Sequence, residues 1–314
     1  MFRNKYLSHF LFLCLVLAFA APVSTQAQKA GRNSIVAASA RRASVSVRDY
    51  KLNSKLMARE MPYRVALPAN YETDKASRFP VIYLLHGLGG HYDNWGSKTE
   101  IARYLENYPV IVVMPEGNNG WYTDSATQPN DRYETYITRE LIPEIDGKFR
   151  TAPNRQNRVV AGLSRGGYGS RKFGLKYPEM FGLVGSFSGA LGAAGWTQKL
   201  LGAAGIRGAI PESIMSVYGA DDTPTRREND IFRIVKDIAP ERVKNLPFVY
   251  LDCGTEDFLI QINREFLSLL NEKKIPPEFR ELPGGHTWSY WEQQIQDFLR
   301  LTNRFFSLSK AKAA

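Results

Sequence analysis

From residue 44 onward, short apolar runs alternate with stretches whose apolar residues recur at three- and four-residue steps. Residues 81–85 and 110–114 are unbroken apolar runs of strand length, as expected of strands covered on both faces. Residues 183–187, 214–218, 248–251 and 278–282 read as further strands. By contrast, 45–50 and 61–67 alternate apolar with polar positions and predict an antiparallel pair at a sheet edge. Helical spacing appears at 99–107, 262–271 and 288–306. In the last of these, Trp288, Trp291, Ile295, Phe298 and Phe305 form a stripe, which predicts a core-facing surface rather than a ligand cage. A further helix at 133–149 aligns Tyr133, Ile137, Ile145 and Phe149, with Pro143 expected to bend it. This alternation predicts an α/β fold: a mostly parallel central sheet with helices on both faces, in one domain over about residues 44–308.

One segment breaks the rhythm. Residues 190–213 are rich in Gly and Ala, and Leu191-Gly192-Ala193-Ala194-Gly195 recurs at 201–205. Two copies of a pentapeptide are low complexity, not a structural repeat. Two expectations stand for this segment: a lid over a site, or an inert surface insertion.

Composition changes the picture at the ends of the chain. Of 314 residues, 44% are hydrophobic, enough for one large core. Residues 1–27 have a basic start at Arg3 and Lys5, a short apolar run at 10–20 and then small residues, the pattern of a secretory signal. Cleavage is expected after Ala20 or Ala27, and the apolar run is too short for a comfortable membrane span. The expectation is an exported protein, periplasmic or secreted, with a flexible leader at 28–43 and a disordered tail at 309–314. Net charge is +10, but two basic residues lie in the signal, four in the leader and two in the tail, with no acid among them. What remains is +2, so a nucleic-acid groove is poorly supported. Losing Cys14 with the signal leaves Cys253 alone, which excludes an internal disulfide in the mature chain. His86, His91 and His286 form no i, i+4 pair and no Cys/His cluster, so neither a metal nor another cofactor is expected.

The candidate chemistry centres on Gly162-Leu163-Ser164-Arg165-Gly166, a G-x-S-x-G match. The apolar residues 159–161 precede it and a helix-compatible stretch follows, the setting in which this pattern makes a nucleophile elbow. A serine hydroxyl needs a base to take its proton. His286, in Leu282-Pro283-Gly284-Gly285-His286, lies between the last strand and the last helix, on the sheet edge expected for Ser164. Asp257 follows a buried strand and gives the chain order Ser164, Asp257, His286 that α/β-hydrolases use; Asp252, Glu256, Asp221 and Asp222 are rivals near strand ends. Oxyanion donors are expected from backbone amides: Arg165, following the nucleophile, and Leu88, in the glycine-rich loop His86-Gly87-Leu88-Gly89-Gly90. Trp121-Tyr122, just past a strand end, is a candidate platform for a sugar or aromatic acyl group; a structural aromatic pair is the alternative.

Together, Tyr83-Leu84-Leu85-His86-Gly87, Trp95, Met114-Pro115, the elbow, Cys253-Gly254-Thr255-Glu256-Asp257 and Gly285-His286-Thr287-Trp288 are a specific combination. Over about residues 44–306 the chain resembles the α/β-hydrolase esterase family that holds esterase D (S-formylglutathione hydrolase), tributyrin esterases, feruloyl and acetyl-xylan esterases, and mycolyltransferases. The resemblance implies an α/β-hydrolase fold, a triad on Ser164, Asp257 and His286, and oxyanion amides at Leu88 and Arg165. Arg165 departs from the Met of many relatives, which bears on the polarity of the acyl pocket. Thr287 departs from a frequent Asp. The expected activity is hydrolysis of carboxylic esters, short-chain or sugar-linked, through an acyl-enzyme. The alternatives are an acyltransferase using the same triad and a non-catalytic envelope-binding protein. Oligomeric state is open.

Overall fold

The structure, a computed structural model, describes residues 44–313. The signal-like segment, its two cleavage sites and the leader lie outside the described residues. Eight strands form one sheet: β1 (Ser46–Ser54), β2 (Arg59–Leu67), β3 (Val81–Leu85), β4 (Ile111–Pro115), β5 (Arg158–Leu163), β6 (Leu183–Phe187), β7 (Phe248–Gly254) and β8 (Pro277–Leu282). Their spatial order is β1-β2-β4-β3-β5-β6-β7-β8. β1 and β2 pair antiparallel at the edge, β2 runs antiparallel to β4, and every pairing from β4 to β8 is parallel. This is the α/β-hydrolase architecture expected from the sequence.

Side-chain alternation along each strand divides the interior in two. In β3, Val81, Tyr83 and Leu85 face one core and Ile82 and Leu84 the other. The first core packs under the helices Arg165–Lys176 and Ile260–Glu272 through Tyr168, Phe173, Phe266 and Leu270. The second packs under the helix Trp288–Ala313 through Ile295 and Phe298. Phe298 meets Phe187 and Tyr250, each at 5.3 Å between ring centroids. Truncating it to Ala is expected to cost about 3–5 kcal/mol by opening a cavity between helix and sheet.

Several elements differ from the sequence expectation, each for a local reason. Residues 214–218 are not a strand but the end of the helix Ala209–Tyr218. Ser213, Ile214, Val217 and Tyr218 are buried and the residues between them are not, a helical spacing that so short a mostly apolar stretch conceals. The expected helix at 99–107 is only the short Ile101–Leu105, and a separate short helix, Asn94–Lys98, precedes it. Around Pro143 the 133–149 helix widens into a π-turn, Ile137–Leu141; proline offers no amide to the carbonyl one turn back, so the ladder shifts. The last helix continues to Ala313, past the expected end of the domain, because Ser-Lys-Ala-Lys-Ala contains no helix breaker. No helix among the described residues is long and apolar enough to cross a membrane.

Candidate active site

The parallel strands all end on one edge of the sheet, and the site is built there. β5 stops at Leu163, Ser164 turns with φ 53° and ψ −115°, and the helix Arg165–Lys176 begins at once. For a non-glycine residue that conformation costs on the order of 1–3 kcal/mol, which the packing around it must offset. The glycines explain how the chain passes: a Cβ on Gly162 would lie 2.6 Å from the Gly166 carbonyl carbon, and one on Gly166 would lie 2.6 Å from Leu85 O. Strand, turn and helix therefore touch backbone to backbone. Ser164 N donates to Phe187 O at 2.8 Å, which fixes the turn to β6.

Two loops bring the other partners. His286 Nε2 is 3.0 Å from Ser164 Oγ, and Nδ1 is 2.8 Å from Asp257 Oδ2. The second carboxylate oxygen of Asp257 accepts the Leu259 amide at 2.8 Å. Burial alone would raise the Asp257 carboxyl, but the hydrogen bonds from His286 and Leu259 outweigh it and hold it below the usual range. The imidazole lies between two rings, Phe258 at 4.7 Å and Trp291 at 4.9 Å. Among the rivals, Asp252 is buried beside Tyr250 and Tyr290, and burial pushes its carboxyl up to about 8. Glu256 binds the Gly284 amide of the histidine loop. Asp221 accepts Gln198 N, and Asp222 pairs with Arg227.

On the other side of Ser164, the loop after β3 is held at several points. Tyr122 Oη donates to His86 O at 2.8 Å, Gly90 N to Gly87 O at 3.1 Å, and Gly89 N to Asn119 Oδ1 at 3.0 Å. Arg165 is the first residue of its helix, so its amide has no intrahelical carbonyl to reach and points out with the positive end of the helix dipole. Its side chain does not enter the acyl pocket. It is fully buried beneath the glycine-rich loop, with Nη2 3.0 Å from Gly87 O and 3.1 Å from His86 Nδ1. The departure at 165 therefore brings no guanidinium into the cleft.

Tyr122 is a support and not a platform: it is fully buried, its ring 5.3 Å from the Arg165 guanidinium carbon. Trp121 does line the cleft, perpendicular to Trp196 at 6.4 Å and donating from Nε1 to Ser213 Oγ at 3.0 Å. The cleft over Ser164 holds about 450 Å³. Ala190, Trp196 and Ile210 form one wall, so the Gly/Ala-rich segment is part of the site rather than an inert insertion. Arg226 pins that wall, donating to the carbonyls of Ala194, Trp196, Gly219 and Ala220. Phe258, Trp288 and Trp291 also line the cleft. The helical stripe expected to face only the core thus turns its first two tryptophans to the cleft. The sequence carried no signal for Trp196 or Phe258, whose places depend on loop paths. Among the described residues, no group of three or more metal-ligating side chains gathers.

A sequence model of the family described as "Putative esterase" matches residues 54–302. The chain belongs to this family. It is 28% identical to an acetyl esterase of Caldicellulosiruptor saccharolyticus, over 77% of this chain and 92% of that protein. An esterase of Mycobacterium tuberculosis is 29% identical, but the chain spans only 55% of its length. The structure of a ferulic acid esterase superposes with a TM-score of 0.72 at 26% identity, covering 84% of this chain and 99% of that one. Family membership supports carboxylic ester hydrolysis as the activity of this esterase.

Proposed function

We propose that this protein is an exported serine esterase that works through an acyl-enzyme on Ser164. One observation carries the reading: a hydroxyl, an imidazole and a carboxylate from three separate segments are in line, at 3.0 Å and 2.8 Å. His286 takes the proton of Ser164 as Oγ attacks the ester carbonyl, and Asp257 stabilises the imidazolium that forms. The amides of Leu88 and Arg165 receive the oxyanion. His286 then gives its proton to the departing alcohol, which leaves with the bonding electron pair. Water, deprotonated by the same imidazole, attacks the acyl-enzyme and releases the acid.

The acyl group is proposed to be of acetyl or hydroxycinnamoyl size on a carbohydrate alcohol. The acetyl and ferulic acid esterases among the relatives support that choice, as do the aromatic walls of the cleft. Export follows from the secretory pattern of residues 1–27. Treatment with a fluorophosphonate probe tests the core of the reading: the wild type labels once and Ser164→Ala does not. Labelling that survives in Ser164→Ala removes the proposal. Similarity to a mycolyltransferase of Mycobacterium avium, 24% identical over 68% of this chain, supports acyl transfer as the second reading. Excess sugar acceptor would then yield sugar ester in place of free acid.

A further inference from the structure

We propose that the guanidinium of Arg165 is a positioning residue for the second oxyanion donor, acting through the carbonyl of Gly87. The inference rests on the serine-esterase reading and adds to it a role for a side chain that the triad does not use. A trans peptide is planar, so the Gly87 carbonyl and the Leu88 amide belong to one rigid unit and point in opposite directions. Arg165 Nη2 donates to Gly87 O at 3.0 Å from beneath the loop. Holding that oxygen down fixes the Leu88 N–H on the other side of the plane, which is the cleft side where Leu88 and Ser164 both sit. A positive donor on the carbonyl also polarises the amide and strengthens its N–H as a donor. Arg165 thus supplies one oxyanion amide from its backbone and orients the other with its side chain.

The surroundings fit a rigid strut. Arg165 is fully buried, and its Nη1 lies 3.3 Å from Asn119 Oδ1, which also accepts Gly89 N at 3.0 Å. The loop is therefore tied on both sides of Leu88. His86 Nδ1 lies 2.9 Å from Gly87 O and 3.1 Å from Arg165 Nη2, while its Nε2 accepts Gly117 N at 2.9 Å, so the imidazole proton sits on Nδ1 and donates to Gly87 O beside the guanidinium. Glu116 Oε1 lies 3.2 Å from Nε2. Gly117 N is shared between His86 Nε2 and Glu116 Oε1, each at 2.9 Å. Burial keeps His86 neutral by lowering its pKa, and Glu116 stays ionised, its carboxyl drawn down to about 2. The buried cation is balanced by a buried anion, with an imidazole between them.

Arg165→Met keeps the backbone amide and most of the side-chain volume while removing the donors. Loss of a well-aimed oxyanion donor costs about 10²–10³ in kcat, and a donor whose carbonyl keeps only the contact with His86 Nδ1 is expected to cost about 10–100-fold, with KM within about threefold. Affinity for a trifluoromethyl ketone, whose adduct with Ser164 carries the oxyanion, should fall by the same factor as kcat. Affinity for the carboxylic acid product should stay within about threefold. Arg165→Lys, with one compact ammonium in place of the fork, should recover only part of the loss. A purely structural role would instead lower melting temperature without splitting the two inhibitors. Arg165→Met with wild-type kcat, or with equal losses for ketone and acid, overturns the inference. If that variant does not fold, Asn119→Ala removes one acceptor of the guanidinium and the tie to Gly89, and should lower kcat about 3–10-fold with the same inhibitor split; unchanged kcat there also overturns it. A wild type that neither labels with fluorophosphonate nor hydrolyses esters sinks the underlying reading instead, so the two failures are distinguishable.

Discussion

The two flanks of Ser164 are built by opposite means. On the oxyanion flank, the loop after β3 lies on a fully buried network of Arg165, His86, Glu116 and Tyr122, with hydrogen bonds at nearly every peptide. On the histidine flank, the imidazole is one-fifth exposed and is held by one carboxylate and two aromatic rings. The chemistry explains the contrast. Backbone amides act only if they stay fixed where negative charge appears. In the proposed mechanism the imidazole serves Ser164 and then the leaving alcohol, so a pivot on one carboxylate suits it. On that reading, the more densely bonded flank is the one that would hold the oxyanion donors, and the more exposed flank the one that would carry the proton.

The largest test of that contrast is Asp257→Asn. The imidazole would lose its orienting partner and the stabilisation of its charged form, and kcat is expected to fall about 10⁴-fold with little change in KM. A loss under tenfold in steady-state hydrolysis would mean that the aromatic rings hold the histidine unaided. Next is Glu116→Gln, which strips the counter-charge from the oxyanion flank. Removing one partner of a buried charge pair costs on the order of 3–5 kcal/mol, which should appear in denaturant melts as a lower midpoint.

The same flank predicts an acid limit on stability. Burial raises the carboxyls of Glu116 and Glu134, but His86 and backbone amides outweigh it at Glu116, as Lys172 and Lys176 do at Glu134, and both fall from 4.5 to about 2. A carboxyl lowered on folding stabilises the protein above its unfolded pKa, and the gain is lost as pH falls through the folded value. Each contributes on the order of 3 kcal/mol at neutral pH, lost between about pH 5 and 2. Thermal melts across that range should fall steeply for the wild type and less steeply for Glu134→Gln. The smallest effect belongs to Phe258→Ala. Phe258 is 69% exposed against the imidazole, so its loss should cost about 0.5–1.5 kcal/mol, read as a modest drop in kcat/KM.

Much of this was legible along the chain. Strands β3 and β4 fall on the apolar runs that announced them, because strands buried on both faces admit little else. The elbow was legible for a steric reason: only glycine fits at 162 and 166. Residues 214–218 look like a strand in sequence because four apolar residues out of five are too short a stretch to set a period, and the helix they end begins in a Gly/Ala-rich stretch. Trp121 and Tyr122 look equivalent in sequence, yet only the first meets the cleft. Nor does anything near Arg165 in the chain hint at its use, since Gly87 is far from it in sequence and adjacent only in the fold.

By itself the sequence determined which chemistry was available: a serine on a turn too tight for side chains beside it, few histidines, and an acid between them in the right order. Those are local facts of composition and backbone sterics, and they survive in one dimension. Tertiary structure alone decided which carboxylate meets the imidazole, which aromatic ring faces the cleft and where a buried guanidinium points. Such choices depend on directions and distances of a few ångström between segments the chain keeps far apart, and no local pattern encodes them.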